Sequence, residues 1–381
     1  MGSTTSPKPT SPKAASPPGT AATSPPAAGP GAPPASAPLT SEAAQSLGIL
    51  PASHWHHEGD DDAGADTDDT ASTIGSITST TASLSESIYE YRKILGRTYH
   101  SDNVGNAEGW QPNDERHGEA LELFHHVNTM LLKGKLYLAP LSKDIHKALD
   151  IATGTGLWAI DFADQFPDCE VVGTDVSPNQ PTWVPPNVKF EIDDCNTEWT
   201  WPDSSIDYVH ARSLIGVVDD WEKFYRQAFR VLKPGGYVED LAVSIVLSSD
   251  DGTVTDNCAV AQWGKVFTEG GKRMGRTFRI VEDDVQKTCM EKAGFVDVVV
   301  KDIRVPLGSW PQDKEQKELG MWTRIAIEAD VEGYVNYIWG YVLGWAPEDI
   351  AKYCAAFRRE LKDTDQHTAY TTRIVYGRKP E

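Results

Sequence analysis

Aromatic side chains are nearly missing from the first part of the chain. Between Met1 and Ser87 the only one is Trp55. Such a stretch cannot bury enough apolar area to offset the entropy of ordering it. Of the 25 prolines in the 381 residues, 12 fall within the first 51 positions. Residues 1–50 are dominated by Pro, Ala, Ser, Thr and Gly; an acidic run (58–69) and a Ser/Thr-rich stretch follow. The composition predicts a disordered tail over 1–87 that solvates the chain or docks a partner. Roughly 290 residues remain, enough for one large, well-filled domain.

Cysteine is scarce as well. The five cysteines, at positions 169, 195, 258, 289 and 354, form no CxxC pair. That argues against a disulfide framework and a zinc site, and fits a reducing compartment. Basic blocks are lacking: net charge is −21, with −8 of it in residues 1–90. Clustered Lys and Arg drive binding to nucleic-acid backbones and anionic lipid, so neither is expected as a direct partner. No signal peptide opens the chain and no apolar run approaches the length of a membrane span. The expectation is a cytoplasmic or nuclear protein, neither secreted nor membrane-spanning.

What is present begins near Ile88, where aromatic and aliphatic residues return. Asn113, Asp114 and Glu115 read as a helix start with Asn113 as cap. Leu123, Val127, Met130 and Leu131 then follow at helical spacing, with His125 and His126 read as surface or groove-lining. From Lys147 short apolar runs alternate with amphipathic helices. Strands are expected at 148–152, 170–174, 188–192, 206–210 and 237–246, and helices at 157–166 and 221–232. That order means a parallel sheet covered on both faces. A helix (283–293), a strand (296–305), helical stretches (314–343, 347–361) and a last strand (371–376) complete the chain.

The strongest motif is Asp150-Ile151-Ala152-Thr153-Gly154-Thr155-Gly156, joining a strand to a helix. Gly154 and Gly156 let the backbone turn tightly and approach a ligand closely. The loop alone does not separate a nicotinamide dinucleotide from S-adenosyl-L-methionine. Nor does Asp175, which ends the next strand beside Val176, where a carboxylate would accept from ribose hydroxyls in either case. Three features favour the sulfonium cofactor. Asp150 leads the loop, with Ala152 where glycine is usual; Asp193-Asp194 ends the third strand, placed for an adenine amino group; and Leu232-Lys233-Pro234-Gly235-Gly236 turns into the fifth strand.

With these residues the sequence resembles the fungal LaeA-like branch of class I methyltransferases, from about Glu90 to Lys379. The matching pieces include Gly96-Arg97-Thr98-Tyr99-His100, Pro112-Asn113-Asp114-Glu115, the glycine loop, Gly173-Thr174-Asp175-Val176-Ser177-Pro178, Asp207-Tyr208-Val209-His210-Ala211-Arg212 and the terminal Val375-Tyr376-Gly377-Arg378. The resemblance implies an α/β, Rossmann-like seven-stranded fold. It divides the chain into the tail (1–87), an N-terminal lid with helices (88–146), and a cofactor-binding domain (147–381) with a helical insertion before its last strand. It implies S-adenosyl-L-methionine as cofactor and methylation of a small molecule, or else regulation of secondary metabolism through protein partners. His210, after the fourth strand, is the candidate base, and Arg212 the candidate carboxylate holder. Tyr99 and His100 are expected to fold over the cofactor. The aromatics between Trp310 and Leu361, Tyr334 among them, read as core or as an apolar substrate pocket.

Overall fold

The computed structural model describes residues 38–55, 87–105 and 109–381. Two short strands, β1 (Arg92–Ile94) and β2 (Arg97–Tyr99), form an antiparallel hairpin. Its turn, Leu95-Gly96, has positive φ at both residues (49° and 78°), the geometry that matches strand twist in a two-residue loop. Upstream, α1 (Ser41–Ser46) is capped by Thr40. Downstream, α2 (Glu115–Leu131) takes Asp114 as its cap, through the amide of His117. Asn113, the residue expected in that role, donates instead to the Ser177 hydroxyl at 3.3 Å.

The central sheet contains β3 (Lys147–Ile151), β4 (Glu170–Asp175), β5 (Val188–Ile192), β6 (Ile206–Arg212), β7 (Leu232–Val243), β8 (Val296–Pro306) and β9 (Ala369–Arg378). Their order is β5-β4-β3-β6-β7-β9-β8. The first five run parallel, while β9 lies antiparallel between β7 and β8. Order reverses beside β3, so a crevice opens between β3 and β6 at their carboxyl ends, the place where such sheets take ligands. Helices α3 (Leu157–Gln165), α4 (Trp221–Val231), α5 (Ala259–Met274) and α6 (Val285–Ala293) accompany the strands. The insertion before β9 holds α7 (Lys314–Ala329), α8 (Val331–Val335), a π-helical turn (Asn336–Val342) and α9 (Pro347–Lys362).

Alternation along the strands fills two large cores and a small third one of Leu132, Leu241 and Ile374. Leu149, Ile151, Val172, Val209 and Ala211 face the larger one, shared with α4, α5 and the insertion. Ala148, Val171 and Tyr208 face the second large one, built with Trp158 and Phe162 of α3.

Residues 38–55 correct the expected tail. Ile49 and Trp55 are 2 % and 4 % exposed, inside the larger core, and Trp55 meets the Tyr353 ring edge-on at 5.7 Å. The polar stretch around them docks through two apolar anchors rather than by average composition. The rest of the expected tail, 1–37 and 56–86, lies outside the described residues.

Candidate functional site

The crevice is floored by the turn that follows β3. There the chain passes through Ala152, Gly154 and Gly156 with φ of 53°, 62° and 82°. A side chain at Gly156 would run into the ring of Phe190, so this glycine serves close packing and the turn, not the cavity wall. Gly154 and Ala152 do border the cavity. Alanine is strained by roughly 1–2 kcal/mol in this left-handed region, where glycine is not.

Asp175 ties this loop to β4. Its Oδ2 accepts from the Gly154 amide at 2.8 Å and its Oδ1 from the Ser177 amide at 3.0 Å. Burial raises its pKa to about 6, against the pull of those amides. A carboxylate oxygen has more than one acceptor site, and Asp175 together with Val176 lines the cavity. At the far end stand Asp193 and Asp194. Asp194 Oδ1 accepts from the amide and side chain of Asn196 at 3.0 and 3.1 Å, while Oδ2 is buried with no partner among the described residues. Gly105 packs directly over that carboxylate.

Asp150 is 3 % exposed and braces the loop from behind. It accepts from Thr153 Oγ1 at 2.5 Å and from His210 Nδ1 at 2.7 Å. His210 corrects the expectation of a base at the cavity. Its ring is 2 % exposed and stacks on Trp158 at 3.6 Å with planes 4° apart. Desolvation holds its pKa below the ordinary histidine value, despite the Asp150 carboxylate. It is not among the cavity-lining residues.

Arg212, two residues on, does reach the cavity. It donates to His125 Nδ1 at 3.2 Å, and His125 donates through Nε2 to Asp161 at 2.9 Å. His125 is therefore a buried bridge between α2, α3 and β6, not a surface residue. His126 instead packs edge-on against Trp322.

The front wall comes from the N-terminal segment. His100 and residues 109–113 line it, as do His117, Leu121, Phe124 and Asn128, which share one face of α2. Tyr99 does not. It is fully buried and packs on Tyr337 of the insertion at 5.3 Å, because successive residues of a strand point to opposite sides. Sequence reading left His117, Leu121, Phe124 and Asn128 unassigned. Their spacing from the cap at Asp114 carried the signal.

A second, apolar arm opens beyond this wall, sharing Trp110, Leu121, Phe124, Asn128 and Ser213 with the main cavity. Trp263 and Phe267 of α5, Ile327 of α7, Tyr334 and Tyr370 complete much of its lining. None of the described residues around this arm carries a charge. Tyr337 and Trp339 of the insertion are core, at 1 % and 0 % exposed, whereas Tyr341 is 46 % exposed.

The strand order, the glycine loop with its acidic partners, and the cavity at the carboxyl edge together define a class I methyltransferase. Residues 123–299 match a family model described as a methyltransferase domain. The chain is 34 % identical to methyltransferase pytC of Aspergillus terreus, over 79 % of this chain and 92 % of that one. It is 29 % identical to the secondary metabolism regulator LAE1 of Cochliobolus heterostrophus, over 75 % and 94 % of the two chains. Among solved structures it is similar to Haemonchus contortus phosphoethanolamine N-methyltransferase 2, with a TM-score of 0.43 and 18 % identity over 74 % of this chain and 62 % of that one. The chain belongs to the LaeA-like family of fungal methyltransferases. No helix among the described residues is long and apolar enough to cross a membrane.

Proposed function

We propose that the protein binds S-adenosyl-L-methionine and directs its methyl group to a small, largely apolar and uncharged acceptor of fungal secondary metabolism. When bound, the cofactor supplies a methyl group activated on a sulfonium. The residues present fit it. Asp193 and Asp194, which both border the cavity, suit an adenine amino group. Asp175 retains acceptor capacity for vicinal ribose hydroxyls. Gly154, Ala152 and Val176 offer close approach along the loop. Arg212 borders the cavity with donors to spare for a carboxylate. Asp150 lines the cavity beside Thr153, whose hydroxyl it holds, and His100 closes the front.

The observation that carries this reading is an arm without charged lining that shares Trp110, Leu121, Phe124, Asn128 and Ser213 with the loop-floored cavity. Alignment of acceptor, methyl carbon and leaving sulfur in such a site can account for roughly 7–11 kcal/mol of barrier. Regulation of secondary metabolism is the other role found among relatives. A methylated protein side chain would have to thread past Trp110 and Phe124 into this arm, so a small acceptor fits better.

The test is incubation of the purified protein with methyl-labelled cofactor and an organic extract of fungal cells. Label recovered in apolar small molecules supports the reading. Label found only on protein, or none transferred, contradicts it.

A further inference from the structure

Arg97 and Asp114 belong to the two N-terminal motifs, yet neither lines the cavity. They converge on one buried carboxylate instead. Arg97 forks onto Asp114, at 2.6 Å twice, and onto Asp330, at 2.7 and 2.8 Å. Asp330 is fully buried and faces His117, whose Nδ1 lies 2.9 Å from its Oδ2. Arg116 Nε stands 3.3 Å from Asp330, and Tyr334 packs edge-on to the imidazole at 5.1 Å. Asp114 also accepts from the His117 amide.

The imidazole is 1 % exposed, and its Nε2 is buried with no hydrogen-bond partner among the described residues, while the side chain lines the cavity. A histidine buried only for structure normally has both nitrogens satisfied. Ionised Asp330 accepts the Nδ1 proton, which leaves Nε2 as an acceptor on a side chain that lines the cavity. Leu121 and Phe124, one and two turns further along α2, line both the cavity and the apolar arm, and Tyr334 lines the arm. His117 therefore sits at the join between the two.

We infer that His117 is the catalytic base for an acceptor hydroxyl, with Asp330 and Arg97 as positioning residues, so that the acceptors are apolar alcohols and phenols. This rests on the methyl-transfer reading above. The acceptor oxygen attacks the methyl carbon; the carbon–oxygen bond forms as the carbon–sulfur bond breaks. That electron pair stays on sulfur, which becomes a neutral thioether. The hydroxyl proton passes to His117 Nε2, and Asp330 stabilises the resulting imidazolium.

The test compares β-naphthol with β-naphthalenethiol as acceptors. The thiol ionises unaided in mildly alkaline buffer and needs no base. In wild type both are methylated. His117→Gln is expected to lose naphthol transfer about 100-fold more than thiol transfer. Equal loss on both acceptors, or no loss on either, overturns the inference and leaves His117 a packing residue. A wild type that methylates the thiol alone overturns it too. A wild type that methylates neither removes the apolar-acceptor reading beneath it, a separate failure.

Discussion

Asp175 and Gly154 share a hydrogen bond, 2.8 Å from carboxylate to amide, that joins the cofactor loop to the strand beside it. One carboxylate thus shapes the loop and presents acceptors to the cavity. Asp175→Asn replaces one acceptor by a donor that opposes an amide of Gly154 or Ser177. Cofactor binding should weaken by roughly 1.5–3 kcal/mol, about 10- to 150-fold in dissociation constant. Unfolding free energy should fall as well, by about 1–3 kcal/mol. Calorimetry and denaturant melts check the two effects; unchanged affinity contradicts the ribose assignment.

The same residue sets a pH dependence. Burial raises its folded-state pKa to about 6 from 3.8. Its contribution to stability is therefore full below the unfolded value and lost as pH rises through about 6. Binding runs the other way, because ribose hydroxyls donate to the ionised form. Affinity for S-adenosylhomocysteine should drop as pH falls from about 7 to about 5. Titrations across that range that show no loss would remove Asp175 from the ribose site.

Ala152 holds a left-handed conformation at φ 53°. Glycine there relieves strain of roughly 1–2 kcal/mol, offset in part by about 0.5–1 kcal/mol of added chain entropy. Ala152→Gly should leave stability within about 1 kcal/mol and bind the cofactor at least as tightly. Ala152→Val, β-branched at positive φ, should lose both stability and binding. Thermal melts and calorimetry on the pair decide, and a tolerated valine would contradict the strain.

Much of the fold was legible because its signals are local. Buried strands ending in Gly and Asp announced the sheet, and the loop's Asp150, Gly154 and Asp175 declared the cavity floor. What escaped depends on distant partners. Helix α5 went unread because Gly264, Gly270 and Gly271 interrupt its pattern; Gly264 is needed where the helix meets the Ile245 carbonyl, 2.9 Å from any added Cβ. Trp55 looked isolated because its partner Tyr353 belongs to the far end of the chain. His210 lay on the correct strand, but Trp158 of α3 covers it. His117 was hidden because Asp330, itself held by Arg97, reaches it from another element.

His210→Ala leaves the buried Asp150 carboxylate without its imidazole and opens space beside Trp158. Loss of one partner from a buried pair costs about 3–5 kcal/mol. Denaturant unfolding should show a loss of that order. A stable variant impaired only in catalysis would restore His210 as a base.

Trp55→Ala tests the docking of residues 38–55. A tryptophan 4 % exposed in the core should cost about 3–5 kcal/mol on truncation. A change below about 0.5 kcal/mol in a melt would show that the segment adds nothing to stability.

The central claim, a sulfonium cofactor in the loop-floored cavity, is tested most directly by calorimetric titration of the wild-type protein with S-adenosylhomocysteine, with NAD titrated in parallel. The account predicts saturable binding of S-adenosylhomocysteine at one site per chain and no heat from NAD. Binding of NAD with none of S-adenosylhomocysteine would contradict it.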